Sequence, residues 1–265
     1  MVTVQELYSF MNELAPVRYR MDFDNVGLLV GDPSAQVTRV VTALDITDDV
    51  ISEACDWGAE IIISHHPLIF HALKQVSQED LVGRKILAMA RSGIAAICMH
   101  TNLDVAQGGV NDALMETLGG QVTGLLEPTG FDEDGTPLGC GRIGTLSTPM
   151  ELADFLKLVT SRLLVSGLKY CGESPVQKIA VCGGSGGSLL ELAFEAGCDT
   201  LVTADVKYDR FLAAKELGVN LIDADHFCTE NVVVPVITEK LRTRFPEVEF
   251  RISERLRQTS QFYLP

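Results

Sequence analysis

V-T-R-V-V-T-A-L-D (37–45) leads into T-D-D-V-I-S-E-A-C-D-W (47–57), and then, past Gly58, into A-E-I-I-I-S-H-H-P (59–67). The outer stretches are short apolar runs of strand type and the middle one is a helical pattern, so the segment reads as strand, helix, strand. That order implies a parallel sheet covered by helices. The pattern continues with a helix-like stretch around 81–92 and the strand G-I-A-A-I-C-M (93–99).

Further on, the acidic, turn-rich segment E-P-T-G-F-D-E-D-G-T-P-L-G (127–139) interrupts the pattern and marks an internal boundary. Strand and helix signals then resume: G-R-I-G-T-L, E-L-A-D-F-L-K-L-V-T-S-R-L-L, K-I-A-V-C-G-G, S-L-L-E-L-A-F-E-A-G, C-D-T-L-V-T-A-D, F-L-A-A-K-E-L-G and V-N-L-I-D-A-D. The expected division is a first α/β domain of residues 1–126 plus 229–265 and a second of 127–228, with the last stretch returning to the first domain.

The two halves share a rhythm. Helices end at Gly58 and Gly93 in one and at Gly197 and Gly218 in the other, each followed by a short apolar strand. His65 and His100 lie seven residues beyond their glycines; Asp205 and His226 lie eight beyond theirs. The expectation is two related α/β units with mixed or mostly parallel sheets, facing each other across a shared site.

Four of the five histidines fall in three segments, S-H-H-P (64–67), H-T-N-L-D (100–104) and D-H-F-C-T-E (225–230), each at a strand's carboxyl end. Open α/β folds place ligands at that edge. Successive extended residues point in different directions, so His65 and His66 suit two neighbouring ions better than one chelated ion. Asp104 is placed in a strand-to-helix loop. His226 and Glu230, four apart, share a face if that segment is helical. Such a set of imidazoles and carboxylates suits zinc, iron, manganese or nickel rather than calcium, and one carboxylate can bridge two ions. The expected cofactor is therefore two divalent metal ions per chain, held by His65, His66, Asp104, His226 and Glu230.

Weaker signals surround this set. V-C-G-G-S-G-G-S (181–188) could offer amides to a phosphate, although a tight strand-to-helix turn is the plainer reading. Asp205, Lys207 and Tyr208 are candidates for a cleft wall, while His71 reads as exposed and Cys228 as packing.

Composition narrows the function classes. A formal net charge of -15 would repel nucleic acid and anionic membranes. The start, M-V-T-V-Q-E-L-Y-S-F, has no signal-peptide pattern, and the expectation is a soluble, cytoplasmic protein. Seven cysteines form no C-x-x-C pair and read as reduced core residues.

Together, D-N-V-G-L-L-V-G-D-P (24–33), S-H-H-P-L-I-F (64–70), H-T-N-L-D (100–104), V-C-G-G-S-G (181–186) and D-A-D-H-F-C-T-E (223–230) resemble the Nif-three-like family of dinuclear-metal-centre proteins. Members carry the label of type 2 GTP cyclohydrolase I homologues. The resemblance implies a toroidal homohexamer and the same five ligands, with Glu230 as the bridge. It puts His100 beside the ions, as the candidate catalytic group. Two departures stand out: A-D-V-K-Y-D (204–209) where G-D-x-K-Y-H is the pattern, and D-A-D-H (223–226) where D-A-G-H is. Asp209 thus replaces a histidine and Asp225 a glycine. The length fits the short form of the family, which lacks an inserted domain. The function expected is metal-dependent hydrolysis of a nucleotide or phosphoester; the alternative is a metal-storing or regulatory hexamer without turnover.

Overall fold

In the computed structural model, which describes residues 1–263, the chain forms two compact units. Unit 1 comprises Met1–Leu103 and Val234–Arg257; unit 2 comprises Asp104–Val233 and the residues from Gln258 onward.

Unit 1 begins with β1 (Val2–Thr3), α1 (Val4–Leu14), β2 (Gly27–Val30), β3 (Gln36–Val37), β4 (Arg39–Ala43), α2 (Asp48–Trp57), β5 (Ile61–Ser64), α3 (Leu81–Ser92) and β6 (Ala95–Cys98). The division falls inside the short α4 (Thr101–Val105). Unit 2 continues with α5 (Val110–Thr117), β7 (Gly120–Phe131), β8 (Pro137–Met150), α6 (Leu152–Leu163), β9 (Lys169–Cys171), β10 (Val176–Ser185), α7 (Leu190–Glu195), β11 (Thr200–Ala204), α8 (Tyr208–Leu217), β12 (Asn220–Asp223) and α9 (His226–Glu230). The chain then re-enters unit 1 through α10 (Val233–Arg244) and β13 (Glu249–Ile252).

The quoted strand–helix–strand segment forms as expected, for local reasons. Thr47 takes an extended conformation and its hydroxyl accepts from the Val50 amide at 3.2 Å, with Asp48 and Asp49 in the first turn of α2. This cap satisfies an amide the helix leaves open, and the acids favour the positive end of its dipole. Gly58 ends the helix in the left-handed region at φ 73°, which a side chain would resist. α2 then buries Val50, Ile51 and Ala54 in a core shared with Val41, Ala43, Ile62, Met89 and Ala96.

The sheet of unit 1 has the order β13-β4-β5-β6-β2, parallel throughout except for β2, which runs antiparallel to β6. Unit 2 has the order β7-β8-β10-β11-β12-β9; β10, β11 and β12 are parallel, and β9 runs antiparallel to β12. Both sheets therefore contain three parallel strands closed by an antiparallel edge strand on the third, and in both the edge strand precedes the three in the chain. The shared rhythm of glycine-ended helices reflects this common topology. Alternation along β10 sends Ile179 and Val181 to one core, with Phe155, Val202 and Ile222, and Ala180 and Cys182 to another, with Leu190, Leu201 and Leu221.

The expected second domain spans 127–228, and the compact unit 2 is wider. Residues 104–126 belong to unit 2, and so do α9 and the residues from Gln258 onward. The turn-rich segment read as an internal boundary forms the tip of a long hairpin, β7 paired antiparallel with β8, with its tight turn at Asp132–Thr136. Irregularities between Val122 and Gly124 and between Pro128 and Gly130 absorb the turn-type residues. β7 is an edge strand, where proline and glycine are tolerated because no neighbour needs their ladder bonds. Among the described residues, no helix is long and apolar enough to cross a membrane.

Candidate metal centre

In unit 1, β5 ends at Ser64 and delivers His65 and His66, while β6 ends at Cys98, two residues before His100. Because β5 and β6 are parallel neighbours in register, their carboxyl ends bring the three rings together. Ring centroids are 5.0 Å apart for His65 and His66, 5.2 Å for His65 and His100, and 5.5 Å for His66 and His100. One nitrogen from each lies within 4.8 Å of the others, a group able to hold a cation.

Each ring is held through Nδ1. His65 Nδ1 lies 2.8 Å from the Met99 carbonyl, His66 Nδ1 2.7 Å from Asp45 Oδ1, and His100 Nδ1 2.8 Å from Asp24 Oδ1. Carbonyls and carboxylates only accept, so the proton of each neutral ring sits on Nδ1 and the lone pair on Nε2. Metal-bound histidines are oriented in this way. Asp24 is buried, and it also accepts from the Thr101 amide at 2.9 Å and from the Thr101 hydroxyl at 2.5 Å. Burial alone would raise its carboxyl, but the bonds from His100 and Thr101 prevail and hold it at about 2.

In unit 2, His226 and Glu230 form the ends of one turn of α9, with Nε2 and Oε2 at 3.1 Å. His226 Nδ1 is 2.6 Å from Asp205 Oδ2. Asp205 itself occupies the left-handed region at φ 52°, immediately after β11. Glu230 first and Asp205 second outweigh burial and push His226 up to about 9, so the surroundings of this ring favour positive charge. Pro235 falls in the first turn of α10, after α9 has ended.

The glycine-rich turn proves to be structural. The Gly183 amide donates to Asn111 Oδ1 at 2.9 Å, the Gly184 amide to Thr229 Oγ1 at 3.0 Å, and the Gly186 amide to Thr203 Oγ1 at 2.8 Å. Three amides that a phosphate would need are thus engaged by side chains. The glycines let the turn lie against α9: a Cβ on Gly184 would come within 2.2 Å of Glu230 Oε1 and 3.2 Å of His226 Cε1. Asn111, buried in α5, also donates to the Asp104 carbonyl at 2.9 Å, so one amide side chain ties Asp104 to the turn beneath Glu230. Beyond Asp104, buried Arg142 donates to the carbonyls of Val105 and Ala106 and pairs with Asp112 at 2.8 Å.

The family model of DUF34/NIF3 (NGG1p interacting factor 3) matches residues 2–258. The chain belongs to the DUF34/NIF3 family. Among curated relatives, a GTP cyclohydrolase 1 type 2 homolog of Clostridium perfringens is 34% identical over 262 residues, covering 98% of this chain and 99% of its own. A solved Bacillus cereus protein related to NIF3 aligns at TM-score 0.91 with 26% identity, covering 100% of this chain and 99% of the other. A hypothetical protein of Staphylococcus aureus aligns at TM-score 0.92 with 29% identity, covering 99% of each chain.

Among the weaker candidates, Asp205 gains a definite place as the partner of His226, whereas Lys207 and Tyr208 are exposed. Asp209 is an exposed residue of α8 paired with Arg210 at 3.3 Å. His71 is exposed and packs its ring on Phe70, and Cys228 is buried as expected. The described cysteines are all thiols. Sequence reading assigned no role to Asp24, Asp45, Asn111 or Thr229. Asp24 and Thr229 stand in stretches that carry the family resemblance and Asp45 ends a quoted strand run; Asn111 lies in unremarkable helical context.

Proposed function

We propose that this chain is a metal-dependent hydrolase acting on a nucleotide or phosphoester, with two divalent ions held by His65, His66, Asp104, His226 and Glu230. The observation that carries the reading is the anchoring of His65 and His66 through Nδ1 to a carbonyl or a carboxylate. That arrangement spends hydrogen-bonding capacity on orientation and aims Nε2, the ligating nitrogen, with the correct tautomer. The donor set of imidazole and carboxylate fits zinc, iron, manganese or nickel. When bound, such ions supply Lewis-acid polarisation of the substrate's electrophilic centre and a more acidic water.

The remaining chemistry falls to the protein's own groups. His100 is the proposed proton-transfer residue. Asp24 fixes its tautomer and steadies the imidazolium, so a proton is held or released at Nε2. Asp45 and Asp205 orient His66 and His226. The substrate class rests on the relatives' printed name, GTP cyclohydrolase 1 type 2 homolog, and on the behaviour of paired ions toward phosphate oxygens.

The test is elemental mass spectrometry on protein purified without chelator or affinity metal, beside Asp104→Ala and Glu230→Ala. Close to two ions per chain, falling in both variants, is the expected result. A following screen of GTP and generic phosphoesters should find turnover that drops by about 100-fold in His100→Ala while the metal stays bound. Full metal occupancy with no turnover of any such substrate would instead favour a metal-storing or regulatory role.

A further inference from the structure

The outer edge of unit 1 carries a second feature, independent of the histidines. Strand β13 has one neighbour, β4, and so forms an edge of its sheet. Along it runs an open cleft of about 780 Å³ whose lining includes Trp57, Arg242, Arg251 and Arg257 together with Glu249 and Glu254. Five of the thirteen arginines of the chain lie between residues 242 and 257. Between 240 and 257 there are six cationic residues and three acidic ones, in a protein whose net charge is -15.

What distinguishes these arginines is how they are held. Several other guanidinium groups meet carboxylates: Arg84 meets Asp48, Arg142 meets Asp112 at 2.8 Å, Arg210 meets Glu191 at 2.7 Å and Arg255 meets Asp56 at 2.7 Å, whereas Arg18 and Arg244 lie over aromatic rings. In the cleft the fixing groups are neutral. Arg251 lies over the Trp57 ring at 4.3 Å, Arg242 donates to the Phe250 carbonyl at 2.9 Å, and Arg257 donates to the Leu256 carbonyl at 3.0 Å. Of the acids nearby, Glu249 pairs with Arg39 at 3.6 Å and Glu239 pairs with Arg242, also at 3.6 Å. A carbonyl or an indole face orients a guanidinium without cancelling its charge, and leaves donors of the planar fork for another acceptor.

We propose that this cleft is a binding site for a small multivalent oxyanion, a molecule carrying two or more phosphate or carboxylate groups, gripped by Arg242, Arg251 and Arg257. The volume lies within the range of small-molecule sites. Three arginines line it, and the planar guanidinium is the group that recognises phosphate and carboxylate in bidentate fashion. The surrounding negative charge excludes larger polyanions such as nucleic acid while the local arginines retain a compact one.

The experiment is isothermal titration of the protein, as purified, with tripolyphosphate, orthophosphate and citrate, beside Arg251→Ala, Arg257→Ala and, as a control in unit 2, Arg162→Ala. Comparing parent and variant separates the cleft from anion taken up at the metal centre, and metal content is measured for each. The expected result is saturable binding of tripolyphosphate, of citrate or of both. Affinity should fall at least about tenfold in Arg251→Ala and in Arg257→Ala, with no change in Arg162→Ala or in metal content. Preference for tripolyphosphate over citrate would identify a phosphorylated ligand, and the reverse a polycarboxylate. Arg257→Ala removes an exposed side chain and guards against a folding defect at the stacked Arg251. Absence of binding by all three anions, or binding undiminished in both cleft variants, overturns the proposal.

Discussion

Asp225 stands where the family pattern has glycine, and its backbone shows why glycine belongs there: φ is 72° and ψ is 136°. An L side chain in that region costs about 1–3 kcal/mol. The carboxylate offsets part of this by capping α9 through the Cys228 amide at 3.1 Å and by accepting from Gln258 and Ser260. Glycine serves at an N-cap with a loss of only a few tenths of a kcal/mol relative to aspartate, so strain outweighs capping. Asp225→Gly should therefore raise stability by about 1 kcal/mol, read as a higher urea midpoint at unchanged slope. Asp24 makes the opposite kind of contribution. Its carboxyl sits at about 2 in the folded protein against 3.8 as its ordinary value. A depressed carboxyl stabilises the fold above its unfolded value and ceases to do so as pH falls through its folded value. The stability gap between the parent and Asp24→Asn should thus be full, at about 2 kcal/mol, above pH 5, and should close between about pH 4 and pH 2. Denaturant melts of both proteins across that range check the sign.

At the scale of elements, the informative pair is the turn after β10 and the short helix α9. A five-residue helix has little stability of its own, so α9 is fixed by its neighbours: Thr229 receives the Gly184 amide, and Asp225 caps the first turn. Gly184→Ala would place a methyl 2.2 Å from Glu230 Oε1 in a backbone at φ 63°. Both effects act in the same direction. The variant should lose about 2–4 kcal/mol of stability and bind metal at least tenfold more weakly, measured by chelator competition. A variant that kept parental metal affinity would show that the turn does not position Glu230. How much of this was legible in the sequence differs by element. Strands β4, β5, β6, β11 and β12 could be read because each is a short apolar run, the last four of them following a left-handed glycine. The histidine segments could be read because they end such strands. Strand β7 could not, because its bulges and edge position let it carry a proline and glycines that ordinarily mark loops. Nor could Asn111 be recognised, since a buried amide that links two loops looks in sequence like any polar residue of an amphipathic helix.

For the whole molecule, the chain division at Asp104 sets the stakes of the metal proposal. His65 and His66 belong to unit 1, whereas Asp104, His226 and Glu230 belong to unit 2. If all five hold one pair of ions, metal binding and the folding of both units are linked, because a ligand that binds only the native protein stabilises it by its binding free energy. At free metal 100 to 1,000 times the dissociation constant this amounts to about 3–4 kcal/mol, which for a chain of this length corresponds to a fall in melting temperature on the order of 10 °C when the metal is stripped. Chelated protein should also unfold less cooperatively, with the two units melting in separable steps, and re-addition of the metal should restore a single transition. The homohexamer proposed from the family resemblance is tested on the same samples by light scattering. A mass near six times the 28.8 kDa of one chain is expected in both the loaded and stripped protein if assembly rests on surfaces away from the ligands. Dissociation on chelation would place the metal centre in control of the assembly, and a mass of one chain in both would remove the hexamer. Differential scanning calorimetry that found identical single transitions with and without metal would mean that the five residues do not share ions, whatever the metal content of the purified protein.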